Sequence, residues 1–324
     1  MVEAPRVLNR PMALRAGLSD EAIAHRLARH SWTRLHSGVY FTRGPEPTYP
    51  DVLAGALLAA GPRSVLSGAA ALSLWEVRGV LAPRRPLVLV PHNTGSTAYR
   101  DLQIRATPIP YRAVVVRGLR TAGAARALTD HCIGIPRLSD VQSAVSEVVR
   151  RQLCTAAELQ ASYRKGPRRG SANLRIAIED AMLGAWSVPE ARLGRGLRAA
   201  GVAPFTQNTA IYDRFGRLLG IVDMWWQHLN AAVEVQGAEH HSSPADWAQS
   251  LTRVASLQEN GIAVLQIPAV EVLRHLDAAV ARIGRWLDAV ALRSRGTARM
   301  ILSFSVPWHG KAQDHRRLWR SRST

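Results

Sequence analysis

The stretch Gly220–His241, GIVDMWWQHLNAAVEVQGAEHH, constrains the fold of this chain more than any other. It reads as two short β-strands, Gly220–Trp226 and Ala231–Gln236, joined by the polar turn Gln227-His228-Leu229-Asn230. A hairpin closed on that turn pairs Trp226 with Ala231, and counting outward pairs Asp223 with Glu234. Side chains on a strand alternate faces, so Glu234 and Gln236 share one. Asp223 then stands across from Glu234 with Cβ atoms roughly 5 Å apart. Two carboxylates that close repel each other, and nothing structural asks for them. A divalent cation turns the repulsion into attraction, because Mg²⁺ is commonly held by one or two carboxylates plus water. Asp223 and Glu234 are therefore the candidate metal ligands.

The flanks of the hairpin fit a compact α/β domain. Ser187-Val-Pro-Glu190 opens an apolar-periodic segment closed by Gly201, a helix with a capping box at its start and a glycine at its end. Strands are expected at Phe205–Tyr212 and Gly220–Trp226 around an Asp213-Arg-Phe-Gly216 turn. Pro244–Asn260 reads as a helix with Leu251, Val254, Ala255 and Leu257 on one side, stopped by Gly261. The apolar run Ile262–Ile267 is what a buried strand requires. The order is αβββαβ.

Asp223, then eleven residues on Glu234-Val-Gln236, then Gly237 and the His240-His241 pair, resembles the restriction-endonuclease-like superfamily. Ser187 to about Asp288 resembles its very-short-patch-repair-type domains. The resemblance implies an Asp and a Glu that hold Mg²⁺ or Mn²⁺, with a Lys two residues after the Glu assisting the attacking water. Here the Lys position is Gln236, and Gly166 to Gly310 contains no lysine. The resemblance also implies a Glu on the preceding helix turned to the metal; for Glu190 that role and the capping role both stay open. His240 and His241 stand where resembling domains often carry histidine, to orient water or phosphate, or else make ordinary hydrogen bonds. Arg253 on the following helix reaches the scissile phosphate if its face turns inward, and is a surface arginine otherwise. Neither a G-x-S-x-G nor a Walker pattern is present.

A chain of 324 residues is expected to hold two or three domains, and its 47% hydrophobic content excludes wholesale disorder. The net charge of +18 makes an anionic polymer the natural partner. Only Lys165 and Lys311 of the 42 basic residues are lysine. Such usage is expected of a GC-rich genome; it explains arginine over lysine but not the excess of positive charge. Cys132 and Cys154 are too few for a disulfide framework or a zinc site. Met1–Pro11 lacks the apolar core of a signal peptide, and no apolar run approaches the roughly 20 residues of a membrane helix. A soluble, cytoplasmic protein is expected.

Residues 1–45 read as a winged helix-turn-helix: helices at Arg10–Ala16 and Asp20–Arg29, a turn at Gly17-Leu18-Ser19, and a wing at Trp32–Phe41 around Ser37-Gly38. This segment, GLSDEAI followed by WTRLHSGVY, resembles the N-terminal domain of AbiEi-family antitoxins. His25, Arg26, Arg29 and His30 on the second helix, with Arg34 on the wing, are the candidates for contact with double-stranded DNA. Their alternative is a solvated basic face used for protein contacts. Residues 46–135 read as a central α+β domain with helices at Val52–Ala60 and Gly68–Trp75 and strands at Pro86–Val90 and Leu102–Ile109. SVLSGAAALSLWEV and GLRTAGAARALTD resemble the middle of the same antitoxins. His92, Asp101 and Asp130 fit no motif and read as surface or capping residues.

Residues 136–186 read as a helical connector, Leu138–Met182, interrupted by the basic loop Arg164–Gly170. Residues 187–290 read as the domain that resembles the restriction endonucleases, ending in one long helix, Ala269–Val290. The tail 291–324 sets eight Arg/Lys against Asp314 alone, with Trp308 and Trp319 among them. It is either a nucleic-acid-binding arm or a disordered end. The expected function is a DNA-binding protein with a Mg²⁺- or Mn²⁺-dependent endonuclease-like C-terminal domain, in phage defence or DNA repair. Asp223 and Glu234 would bind the metal and Gln236 would position the water. The alternative is a non-enzymatic, antitoxin-like transcriptional regulator with an inactive nuclease fold and a toxin protein as partner.

Overall fold

The computed structural model describes residues 5–92, 99–109, 111–202, 204–237, 244–296 and 304–307. Among them the chain forms twelve α-helices and three sheets, one antiparallel and two mixed. It divides into two compact units, residues 1–144 with 153–175, and 145–152 with 176–324. Among the described residues no helix is long and apolar enough to cross a membrane.

The first unit opens with β1 (Val7–Asn9), α1 (Arg10–Arg15), α2 (Asp20–Ala28), β2 (Thr33–His36) and β3 (Val39–Phe41). Short polar side chains start both helices: Asn9 accepts from the Met12 N–H at 3.0 Å, and Ser19 from the Ala22 N–H at 3.2 Å. The strand order is β1-β3-β2, so the expected two-stranded wing has a third strand, β1, on its far edge. Three residues are too few to show a period of two, which is why the sequence did not reveal β1. Leu8, Ala13, Ile23 and Tyr40 form the core beneath α1 and α2. Helix α3 (Tyr49–Ala60) covers Val7, Val39 and Phe41 on the other side. It starts three residues earlier than expected, because Asp51 accepts from the Thr48 N–H at 2.9 Å and from two Arg6 nitrogens at 2.8 Å each.

The second sheet runs β6-β5-β4-β8-β7, from β4 (Val65–Ser67), β5 (Leu87–Pro91), β6 (Gln103–Thr107), β7 (Ala113–Val116) and β8 (Leu119–Ala122). Helices α4 (Gly68–Leu74) and α5 (Ala124–Cys132) accompany it. Asp130 on α5 is neither a surface nor a capping residue. Its carboxylate is fully buried and accepts from Ser67 Oγ at 2.7 Å, Arg105 at 3.0 Å and Arg126 Nε at 2.9 Å. A buried carboxylate persists only when paired and bonded in this way. The helical connector is three helices, α6 (Leu138–Arg150), α7 (Ala156–Lys165) and α8 (Ala172–Met182). The Thr155–Glu158 capping box opens α7, with bonds of 3.1 and 2.8 Å.

The second unit is a five-stranded sheet with helices on both faces. Its elements are α9 (Val188–Ala199), β9 (Thr206–Tyr212), β10 (Leu218–Trp226), β11 (Ala231–Gln236), α10 (Pro244–Glu259), β12 (Ala263–Pro268), α11 (Ala269–Arg274), α12 (Leu276–Gly296) and β13 (Phe304–Pro307). The sheet order is β12-β11-β10-β9-β13. Met224, Trp226, Ala231 and Val233 bury one face against Leu193 and Leu197 of α9, Val272 of α11 and Ile283 of α12. Val222, Trp225 and Ala232 bury the other against Leu257 of α10. Each tryptophan ring so buried is worth about 3 kcal/mol or more.

Four expectations need correction. The apolar run at Ile262–Ile267 forms an edge strand, not a buried one; among the described residues β12 pairs only with β11, in parallel, and most of it is half-buried or exposed. On α10, Leu251 and Ala255 face outward while Arg253 and Val254 join Leu257 toward the sheet, because the inward position is given to a charged side chain. The long C-terminal helix breaks at His275, whose backbone (φ −136°, ψ 54°) leaves the helical region between α11 and α12. Within the basic tail, α12 continues to Gly296, and Phe304–Pro307 is a strand bonded antiparallel to β9. Trp308, Lys311, Asp314 and Trp319 lie outside the described residues.

Candidate functional site

Strands β10 and β11 pair Trp226 with Ala231, Trp225 with Ala232 and Met224 with Val233. The ladder ends at that pair, and Asp223 and Glu234 are the next residues outward on the two strands. There Asp223 Oδ2 accepts the backbone N–H of Val235 at 2.6 Å, so a carboxylate stands where a strand carbonyl would otherwise accept. The Glu234 side chain is only 2% exposed. Its Oε2 accepts from Arg253 at 3.1 Å and from Gln236 Nε2 at 3.3 Å, which puts Glu234 and Gln236 on one face as the alternation requires. Among the described residues its Oε1 is buried with no donor at ordinary hydrogen-bond distance, although the Gln266 side chain on the neighbouring strand is close enough to favour the ionised form, and Arg253 Nε is buried without an acceptor.

Arg253 thus turns inward. Its stem lies over Gly220, where an added Cβ would fall 3.1 Å from both Cγ and Cδ of the arginine. Gly220 is needed for this close approach rather than for an unusual backbone angle. Gln266, exposed on β12, is the strand neighbour of Glu234.

Glu190 fulfils the capping role, with a variation. Ser187 Oγ accepts the Glu190 N–H at 3.3 Å, while the Glu190 carboxylate reaches back to the Trp186 N–H at 2.9 Å. The same oxygen accepts from Asn208 Nδ2 at 2.7 Å, and that amide also donates to the Gly184 carbonyl at 2.7 Å. Asn208 holds this position with φ of +46°, a left-handed conformation that asparagine tolerates better than most residues. The amide of Gln207 supports the same corner, accepting from Arg198 at 2.8 Å. Neither Asn208 nor Gln207 stood out in the sequence, since two amides within Thr206-Gln-Asn-Thr209 give no signal of a backbone angle.

Electrostatics bind these groups into one cluster. Burial, then the charge of Glu190, then that of Glu234, push Asp223 well above the usual carboxylate range; the Val235 N–H and Arg253 oppose the shift. Burial raises Glu234 as well, against the pull of Arg253. Three carboxylates therefore sense one another with one guanidinium among them. When all are ionised, two negative charges are left without a counter-charge in this cluster among the described residues. Protons or a divalent cation can supply it. Among the described residues no group of three or more His, Cys, Asp or Glu side chains is placed to hold a metal ion. Glu190 spends one oxygen, Oε2, on its own bonds, and a cation would rest on Asp223 and Glu234, with water completing the shell, as Mg²⁺ accepts.

His240 and His241 lie outside the described residues. In the first unit His25, Arg29, His30 and Arg34 are exposed. Arg26 is not free to reach outward: it donates to the Ala22 carbonyl at 3.0 Å and lies over the Trp32 ring at 5.5 Å. The aromatic ring two residues beyond His30 captures it, a cation–π contact that helical spacing alone does not reveal. In the basic loop, Arg164, Lys165, Arg168 and Arg169 are exposed, with Arg168 over the Tyr163 ring at 5.4 Å.

No family model and no curated protein sequence matches the chain. Among solved structures, the chain is similar to the RV2827C protein of Mycobacterium tuberculosis, with a TM-score of 0.42 and 12% identity over 55% of this chain and 72% of that one. A likeness at that level assigns neither family nor activity.

Proposed function

We propose that the protein binds double-stranded DNA and that its second unit is a metal-dependent endonuclease of the restriction-endonuclease-like kind. The observation that carries this reading is the pair of half-buried Asp223 and buried Glu234, both held above the usual carboxylate range with Arg253 beside them. Asp223 and Glu234 would hold Mg²⁺ or Mn²⁺, which when bound supplies Lewis acidity toward a phosphate oxygen and an acidified water. Gln236, beside Glu234, offers its amide to hold that water in place. Arg253 keeps Glu234 oriented and favours its ionised form against the effect of burial. The test is incubation of supercoiled plasmid with the full chain and Mn²⁺; nicking that disappears in Glu234→Gln supports the reading.

A second reading rests on two specific features. Gln236 carries no charge where the resembling nucleases place a lysine, and Arg253 already occupies one Glu234 oxygen. Both suit a non-enzymatic, antitoxin-like regulator that has kept the fold and pairs with a toxin protein.

Both readings share the DNA-binding first unit, in which α1, α2 and the β2–β3 hairpin are read as a winged helix-turn-helix. Arg29 and Arg34 are the exposed cations of that module best placed to meet phosphates. Arg29→Ala/Arg34→Ala is expected to weaken duplex binding about tenfold or more and to flatten its salt dependence by about two phosphate contacts. Fluorescence-anisotropy titrations at several salt concentrations measure both. An unchanged affinity and slope would remove these two residues from the interface. Arg26→Ala, by contrast, should act mainly on the stability of the module, through Trp32.

A further inference from the structure

The turn between β9 and β10 is built to hold an aromatic ring in solvent. Asp213 anchors it: its carboxylate, 1% exposed, accepts from the Phe215 N–H at 2.9 Å, the Arg217 N–H at 2.8 Å and Arg217 Nε at 2.7 Å. Backbone bonds from Asp213 to the Arg217 carbonyl (2.9 Å) and from Gly216 to the Asp213 carbonyl (3.0 Å) close the loop. Gly216 has φ of +77°, which few side chains would tolerate. Held on this frame, Phe215 is 70% exposed. Two guanidiniums lie over the ring, Arg214 at 4.7 Å and Arg217 at 6.0 Å from its centroid, cation–π contacts that exposed side chains can exchange for a base and its phosphates.

A lone exposed apolar residue is ordinary and calls for no explanation. This one differs in what surrounds it. Ordering a loop costs roughly 1–2 kcal/mol per residue, and here that order fixes a ring that no core receives. The Asp213 carboxylate is turned inward and bonded to three donors; its charge offsets that of Arg217, and Arg214 leaves the tip with a net positive charge. The two arginines remain exposed. An aromatic face between two cations matches one kind of surface closely: stacked bases bounded by phosphates.

We infer that the Asp213–Arg217 tip is a DNA-contacting element, in which Phe215 stacks on a base at a deformable step of a duplex while Arg214 and Arg217 meet the flanking phosphates. The inference rests on the DNA-binding reading above and extends it to a site outside both the carboxylate cluster and the first unit. Along β10 the tip stands six residues from Asp223, about 20 Å at the usual strand rise. Substitutions there leave the carboxylates untouched.

The test uses the full chain and a fluorescein-labelled duplex rich in TA and CA steps, titrated at several salt concentrations. Phe215→Ala should weaken binding about tenfold, the usual size of one base–aromatic stack, with the salt slope unchanged. Phe215→Trp should bind at least as tightly as the native protein. Arg214→Gln should instead lower the salt slope by about one. Because both side chains are exposed, melting temperatures should not move, which separates lost contact from lost fold. Native affinity in Phe215→Ala, with duplex binding intact in the unsubstituted chain, would overturn the role of the tip alone. No duplex binding by the unsubstituted chain at low salt would overturn the DNA-binding reading and the tip with it.

Discussion

Gln236→Lys is expected to raise DNA cleavage about a hundredfold, and Glu234→Gln to abolish it in either background. In the native protein the amide of Gln236 lies 3.3 Å from Glu234 Oε2. An amide there can hold a water but cannot lower its pKa or neutralise charge growing on a phosphate. An ammonium on the same strand face can do both. One charge supplied to a site shielded from water is worth about 3 kcal/mol, which is the hundredfold. The native rate should accordingly be slow, and faster with Mn²⁺ than with Mg²⁺. Single-turnover cleavage with DNA saturating and metal present measures all three proteins. No cleavage from either the native chain or Gln236→Lys would leave the regulator reading standing.

Asp223→Asn is expected to stabilise the metal-free second unit at neutral pH and to have little effect at pH 4 or below. Asp223 and Glu234 are both raised in the folded state. The native protein therefore holds protons that the unfolded chain, with its carboxylates near pKa 4, has already released. Stability that depends on those protons is present below about pH 4 and is lost as pH rises toward the raised values. Asparagine removes the charge but keeps an oxygen to accept the Val235 N–H. The gain at neutral pH should be on the order of 1–3 kcal/mol, or several degrees in melting temperature. Thermal unfolding in chelator from pH 4 to 8 measures it. A constant difference between the two proteins at every pH would mean that Asp223 is not raised.

The hairpin around this pair was legible in the sequence because its signals are local. A polar turn of fixed length sets the register, and the register sets the pairing of Trp226 with Ala231. Alternation then puts Gln236 beside Glu234. The capping box at Ser187 was legible for the same reason. What the sequence did not show depends on contacts distant along the chain. Asn208 takes a left-handed angle because Glu190 and Gly184 await its amide, and neither is near it in sequence. Gly220 owes its identity to an arginine on a later helix. Asp130 looks like a surface acid until Ser67, Arg105 and Arg126 converge on it. The apolar Ile262–Ile267 run predicts a strand, but nothing within it tells whether another strand lies beyond.

The account stands most directly on Asp223 and Glu234 sharing one cation, and calorimetric titration of the full chain with Mn²⁺ at neutral pH reads that. The native protein should bind at a saturable site in this pair, releasing protons as the raised carboxylates give theirs up. Asp223→Asn and Glu234→Gln should each lose that site, and the proton release with it. Equal Mn²⁺ binding by all three proteins, or none by the native chain, would contradict the account.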